Sequence, residues 1–412
     1  MNEAQKGDGN GMAEVRLRDI LDLSFRANPD YELTVFDRLP ASRQNDLRDL
    51  TRDPDFYGLL LPKDGVALST KSVCRDTALL IATLKEPGPL PGFVRRMLGD
   101  GCNRNIAELV LDGVLQVESA GAFVCSSAAY ELIYGERTAS EPQGKVARLT
   151  RAALYYGQDL DIEDSVKLSA RLYFYNRLPL TPSWQRQFPD SEAVMRYLGI
   201  ENPELRRAIS SRWTELPVSS PETEGWLRWS AKSIRTSGPA NGERKGLKLY
   251  LSPQPHYLRD AFKVFLECLA DSTAHHFKVG SDGASLLRPD KIVAYFPDFN
   301  SVQETAQRMA EHLAGMPSQG VPFTAQIGTD GLLSWGLDPP EERGMLSWQE
   351  RPSWRLWITN RLATALVAAK YGQRDAGIEP WQFAVERLRL EHIDTDTWTP
   401  DEAFGGWQEA AF

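Results

Sequence analysis

Cysteine is scarce in this chain. There are four in 412 residues, Cys74, Cys102, Cys125 and Cys268, and none forms a CxxC pair. That spacing excludes a disulfide framework and a cysteine-based zinc site, so the thiols are expected to be reduced. The five histidines do not stand at ligand spacing to them, and no HExxH occurs. Neither a metal nor an organic cofactor is called for. No glycine-rich P-loop is present, so nucleotide hydrolysis has no support. Positive charge is not in excess: 47 Lys and Arg face 56 Asp and Glu, a formal net charge of -9. A general nucleic-acid binder normally shows the opposite balance. Apolar runs such as "ALLIATL" fall far short of the roughly 20 residues needed to span a bilayer. The opening "MNEAQKGDGNGMAEVRLRD" is polar and lacks the apolar region of a signal peptide. A cytoplasmic protein is expected, with neither nucleic acid nor membrane as partner.

The composition itself, 42% hydrophobic and 25% charged, is that of an ordinary globular chain long enough for two or three cores. The expected fold class is α+β. Residues 1–27 read as a flexible tail. Residues 28–137 read as a winged helix-turn-helix domain. In it, two short strands in "YGLLLPKDGVALS" flank the turn "PKDG", and three helices follow, from about Arg75 to Lys85, over "PGFVRRMLG" and over "NRNIAELVLDGVL". Asn103 or Asn105 is a candidate cap of the third. The hairpin "LQVESAGAFVC" turns at "SAG" and closes the unit.

The polar stretch "GERTASEPQGKVARLT" marks a boundary. A second domain is expected over 145–412, helical over 145–240 and α+β over 247–412. "NPELRRAISSRWTEL" offers Asn202 as a cap and Pro203 at the first helical position. "SARLYFYNRLPL" is dense in rings and basic residues, and "RTSGPANGERKG" reads as a mobile loop. Then come the strand "KLYLS", a helix over 256–270, the strands "HHFKVG" and "KIVAYF", a helix over 301–314, and strands near "FTAQIGTDGLLSWG". Two helices finish the chain, "SWRLWITNRLATALVAAKYG", stopped at Gly372, and "PWQFAVERLRL".

Strand side chains alternate between faces. One face of the three strands carries Leu249, Leu251, Phe277, Val279, Ile292, Ala294 and Phe296. The other carries Lys248, Tyr250, Ser252, His276, Lys278, Lys291, Val293 and Tyr295. If the strands are neighbours, the polar faces coincide in an antiparallel sheet open on one side, with Arg288 just outside it. Clustered Lys and Arg suit a dianionic phosphomonoester. A lysine among cations has a lowered pKa and can serve as a neutral base. A half-exposed sheet with an ordinary solvent face shows the same alternation.

At these residues the chain resembles the type III effector phosphothreonine lyases of the OspF/SpvC kind and the lyase domains of lanthipeptide synthetases. It is more similar still to the HopA-type effector family and its relatives in class V lanthipeptide and thioamitide pathways. "KLYLS", a helix and "HFKV" carry the likeness, supported by "GVPFTAQIGTDGLLSWGLDPP" and "SARLYFYNRLPL". The resemblance implies β-elimination of phosphate from phosphoserine or phosphothreonine in a precursor peptide, leaving dehydroalanine or dehydrobutyrine. It makes Lys278 the general base, Lys248 a phosphate-binding lysine and Arg288 a phosphate clamp. Tyr250 stands where the family has the histidine that protonates the leaving phosphate. His276 stands where a further lysine is frequent. Tyr250 and His276 are therefore the candidate acids, and strand geometry adds Lys291 to the phosphate-binding set. The implied partners are the phosphorylated precursor peptide, a kinase-like phosphotransferase and a cyclase.

The N-terminal unit resembles PqqD-type precursor-recognition domains, on the strand pair "YGLLLPKDGVALS" followed by three helices. That implies leader binding as an added strand near Leu59–Leu68 and the helix 103–115. A packing or dimerisation domain and a DNA-binding winged helix are the other readings. Arg104 is the single basic residue of "NRNIAELVLDGVL", a weak basis for phosphate-backbone contact. For the whole chain the rivals are a non-catalytic phosphopeptide- or leader-binding scaffold and an effector acting on a cellular phosphoprotein.

Overall fold

A computed structural model describes residues 17–66, 68–135, 141–217, 224–232, 246–339, 352–371 and 377–400. The expected stop Gly372 and most of the expected mobile loop 235–246 lie outside them. Two compact units emerge, one of residues 1–139 with 368–390 and one of 140–367 with 391–412.

The first unit mixes helix and antiparallel sheet. Its strands are β1 (Ser24–Ala27), β2 (Tyr31–Val35), β3 (Phe56–Pro62), β4 (Lys71–Cys74), β5 (Gly88–Pro89), β6 (Leu115–Ser119) and β7 (Ala122–Val124). They form the sheets β5-β1-β6-β7 and β2-β3-β4. Part of the expected tail is built in. Ile20 and Phe25 are fully buried, and β1 pairs with both β5 and β6. The strand after "PKDG" also differs. β3 pairs with β4, which starts only at Lys71, not directly after Gly65. Helices span Arg75–Thr83, Gly92–Leu98 and Cys102–Leu111. The third buries Ile106, Ala107, Val110 and Leu111. Neither asparagine caps it. Asn103 accepts from Ile20 N at 3.1 Å, and Asn105 donates to Gly101 O at 2.9 Å. The β6–β7 turn lies where "SAG" places it, with positive φ at Ala120 and Gly121.

The second unit opens with helices Gly144–Asp159, Ser165–Tyr173, Pro182–Gln187, Ser191–Leu198 and Pro203–Arg212. Asp164, Thr181, Asp190 and Asn202 cap four of them through side-chain oxygens, each satisfying an N–H that the first turn leaves unpaired. The expected helical stretch then ends early. Helix gives way to strand at Trp213, which begins β8 (Trp213–Leu216), and β9 (Trp226–Ala231) follows. These join β10 (Leu247–Leu251), β11 (His276–Gly280), β12 (Ile292–Phe296), β13 (Ala325–Ile327) and β14 (Leu333–Leu337) in the order β13-β14-β10-β12-β11-β9-β8. Every pairing is antiparallel.

The registers settle the two faces. Leu249 stands opposite Ala294 and Trp335, and Ala294 opposite Phe277, which stands opposite Trp229. This apolar face is covered by the amphipathic helices Leu258–Ala270 and Phe299–His312, which pack on each other. Trp213, Trp229 and Phe265 close on Phe277 at ring-centre distances of 4.9, 4.7 and 5.8 Å. Burying several such rings is a large apolar contribution.

Gly280 ends β11 where the backbone of Ser285 and Leu286 closes in. A Cβ there would lie 2.8 Å from Ser285 C and 2.9 Å from Leu286 N. Gly280→Ala is expected to cost about 1–3 kcal/mol of stability, read as a lowered thermal midpoint.

Candidate functional site

The opposite face of the same sheet carries the chemistry. Lys248 stands across from Tyr295, Tyr295 from His276, and His276 from Ser230. One pair further along, Tyr250 stands across from Val293, Val293 from Lys278, and Lys278 from Arg228. Gly280 faces Trp226, so Trp226 and Arg228, two residues apart on β9, point to this face as well.

The face is not open throughout, as the alternation alone implied. Over β10 and β12 it is closed: Tyr250 and Val293 form a buried cluster with Val321, and Tyr295 packs against it. Access remains towards β11 and β9. There a cavity of about 290 Å³ is lined by Trp226, Arg228, His275, His276, Phe277, Lys278 and Tyr295.

Lys278 is the central group. No hydrogen bond or ion pair to its amine occurs among the described residues. Its Nζ lies 4.0 Å from the centre of the Trp226 ring and 5.9 Å from that of Tyr295. Burial lowers its pKa from the ordinary lysine value, Asp290 and Tyr173 oppose that, and Arg288 and Arg228 lower it further. Arg228 Nη1 is buried without a hydrogen-bond partner. Burial and Arg228 together hold the His276 pKa below its usual value.

Behind these groups sits a buried ionic knot. Arg288 grips Asp290 through Nε at 2.9 Å and Nη2 at 3.0 Å, and Nη2 also donates to the Tyr173 hydroxyl at 3.0 Å. Arg355, 1% exposed, reaches the same carboxylate at 3.0 Å. It donates besides to the carbonyls of Pro322 and Tyr173. Burial opposes ionisation of Asp290, but the two guanidiniums outweigh it and hold the carboxyl well below the usual range. Arg288 also lies 4.9 Å from the Trp226 ring centre.

The other expected residues are placed differently. Lys248 is buried and ion-paired with Asp338. Lys291 is fully buried, donating to Pro253 O at 2.8 Å and to Gln319 Oε1. Burial lowers its pKa to about 7, against the pull of Asp290. Two of its three donors serve the fold, a different place from the phosphate-facing position expected from strand geometry. Tyr250 is buried beneath the face, and Tyr295 is the phenol at the cavity wall. Burial pushes the Tyr250 hydroxyl well above its usual pKa, with Arg355 opposing, so it stays protonated. Trp226, Arg228, Asp290 and Arg355 were not among the residues the sequence singled out. The alternation in "WLRWSA" was the available signal for the first two. Among the described residues, no group of three His, Cys, Asp or Glu side chains gathers to hold a metal ion. No helix among them is long and apolar enough to cross a membrane.

The arrangement gathers charge of one sign. Arg228, Arg288 and Arg355 give three positive charges, and Asp290 removes one, so two remain when Lys278 is neutral. A positive balance of this kind suits an anionic ligand, and the amine beside it has no hydrogen bond among the described residues.

No protein-family model matches the chain, and no curated protein does. Solved structures with partial likeness include an effector protein from Pseudomonas syringae pv. tomato, with a TM-score of 0.38 and 11% identity over 62% of this chain and 97% of that one. The type III effector and phosphothreonine lyase OspF from Shigella flexneri gives 0.24 and 16% identity, over 47% and 98%. The phosphothreonine lyase SpvC from Salmonella gives 0.25 and 13%, over 52% and 99%. At such scores neither a shared fold nor a shared function follows.

Proposed function

We propose that the second unit is a phosphoserine/phosphothreonine lyase acting on a phosphorylated peptide, in the maturation of a lanthipeptide or thioamitide precursor. The observation that carries this is the Lys278 amine, without a hydrogen bond or ion pair among the described residues, set on a sheet face with Arg228 in the same cavity wall and the Arg288–Asp290–Arg355 knot behind it. In the proposed step Lys278 Nζ takes the α-proton. The C–H electron pair becomes the Cα=Cβ bond, and the Cβ–O pair leaves with phosphate. Arg228, the cavity-lining cation, and Arg288 hold the phosphate and stabilise its growing charge. The departing oxygen takes a proton from His276 or Tyr295 at the cavity wall, from Tyr250 behind it, or from solvent. A phenol is a weak acid, so charge stabilisation carries more of the step than proton donation.

The upstream partner of such an enzyme is a kinase-like phosphotransferase, and a cyclase would consume its product. In the first unit, the proposed role is precursor recognition by a winged-helix domain. β2 and β4 are both edge strands of their sheet, and an extended leader can add to such an edge. A phosphothreonine peptide with and without its leader tests both units: phosphate release reports the lyase, and a lower KM with the leader reports recognition.

A second reading is a phosphopeptide-binding scaffold. The buried Tyr250 favours it, because the strand "KLYLS" then offers no accessible acid. The pH profile separates the two. The base acts neutral, so kcat/KM should rise with pH through the Lys278 pKa, which burial sets below the ordinary lysine value of 10.5. Below that pKa the amine carries its own proton and cannot take another. Binding without turnover at any pH is the scaffold's result.

A further inference from the structure

We propose that Trp226 is the positioning residue of the Lys278 amine, an indole platform that fixes where the nitrogen sits and how firmly it holds a proton. This rests on Lys278 being the base of the proposed lyase. Lys278 is a flexible side chain with no hydrogen bond among the described residues. What it touches instead is aromatic: Trp226 at 4.0 Å and, further off, Tyr295 at 5.9 Å. Trp226 is 7% exposed and opens β9, where its backbone pairs with Gly280 of β11. Its ring therefore keeps a fixed place, while an unheld lysine would sample many rotamers.

A cation within about 6 Å of an indole centre is attracted by the negative face of the ring. The neutral amine gains little from it. Trp226 thus favours the protonated form, against the burial that disfavours it. Arg288 reaches the same ring at 4.9 Å, so one indole locates both the amine and an arginine of the phosphate site. The other charged or titratable groups around Lys278 are Arg228 on β9, His276 on β11, Tyr295 on β12, Tyr250 on β10, Asp290 before β12, and Tyr173 at the end of the helix Ser165–Tyr173. None of them supplies a hydrogen bond to the amine.

The test reads Lys278 itself and needs no turnover. Acetic anhydride acylates only neutral amines, and mass spectrometry follows Lys278 across pH in the full-length protein. The expected result is a limb that moves to lower pH by about 0.5–1 unit in Trp226→Met and by less in Trp226→Phe, whose ring keeps a weaker negative face. An unmoved limb in Trp226→Met overturns the proposal. If that variant does not fold, protein grown with progressively fluorinated tryptophans keeps the shape and weakens the ring's negative face. The limb should then fall stepwise with each added fluorine, and a limb indifferent to fluorination overturns the proposal. Phosphate release by the wild type is measured separately, so failure of the lyase reading is told apart from failure of the platform.

Discussion

Lys278→Ala is expected to lower phosphate release from a phosphothreonine peptide by about 10²–10⁴-fold, the range for loss of a general base. Several observations converge on this residue. Its amine is free of hydrogen bonds among the described residues, it lines the cavity, and burial lowers its proton affinity. Removing the side chain leaves Arg228 and Arg288 in place. Peptide binding, measured by calorimetry, should therefore persist while turnover is lost. Loss of binding in parallel with turnover would instead make Lys278 a phosphate ligand. Lys278→Arg should not restore the rate, because a guanidinium stays protonated at any working pH.

Asp290→Ala is the variant with the largest expected effect on stability, a loss of about 3–5 kcal/mol. The carboxylate is 5% exposed and is shared by two guanidiniums, one of them fully buried. Without it, two like charges remain close together away from water. Breaking a buried pair from one side is costly for that reason, whatever the net worth of the intact pair. Chemical denaturation of the second unit should show the loss. The same carboxylate gives the wild type an acid dependence. Because its folded pKa is depressed, its contribution is complete above the unfolded value of about 3.9 and is lost as pH falls below it. The variant should be flatter in that range.

The chemistry of β10, β11 and β12 was legible because alternation is a local property. Lys248, Tyr250, His276 and Lys278 fall on one face by spacing alone, and the observed registers bring those faces together. What alternation does not report is whether a face is covered. Val321 lies over Tyr250, and Gln319 takes the Lys291 amine. Both belong to a later segment that reaches the sheet only through the tertiary fold. Lys248 was legible as a cation but not as a paired one, since Asp338 lies far along the chain.

The larger omission has a similar origin. Residues 145–240 read as helical, but the helix that starts at Pro203 ends at Arg212 and β8 begins at Trp213. Trp213 is worth more against Phe277 than in a further helical turn, an instance of tertiary packing overriding local propensity. With β8 and β9 read as part of a helical segment, Trp226 and Arg228 stayed out of view. Arg355 was hidden in another way. It lies in the first turn of the helix Trp354–Tyr371, and only the fold shows that its guanidinium reaches Asp290. In the first unit, Phe25 and Ile20 were too few apolar residues to mark the start of structure, although both are buried.

The most direct test of the central claim is the mass of the product formed by wild-type protein from a phosphothreonine peptide. The account predicts inorganic phosphate together with an alkene, a peptide one water lighter than its threonine form. A threonine product would show hydrolysis rather than elimination, and a peptide that binds but stays phosphorylated would show a binding site without a lyase. Either result would contradict the account.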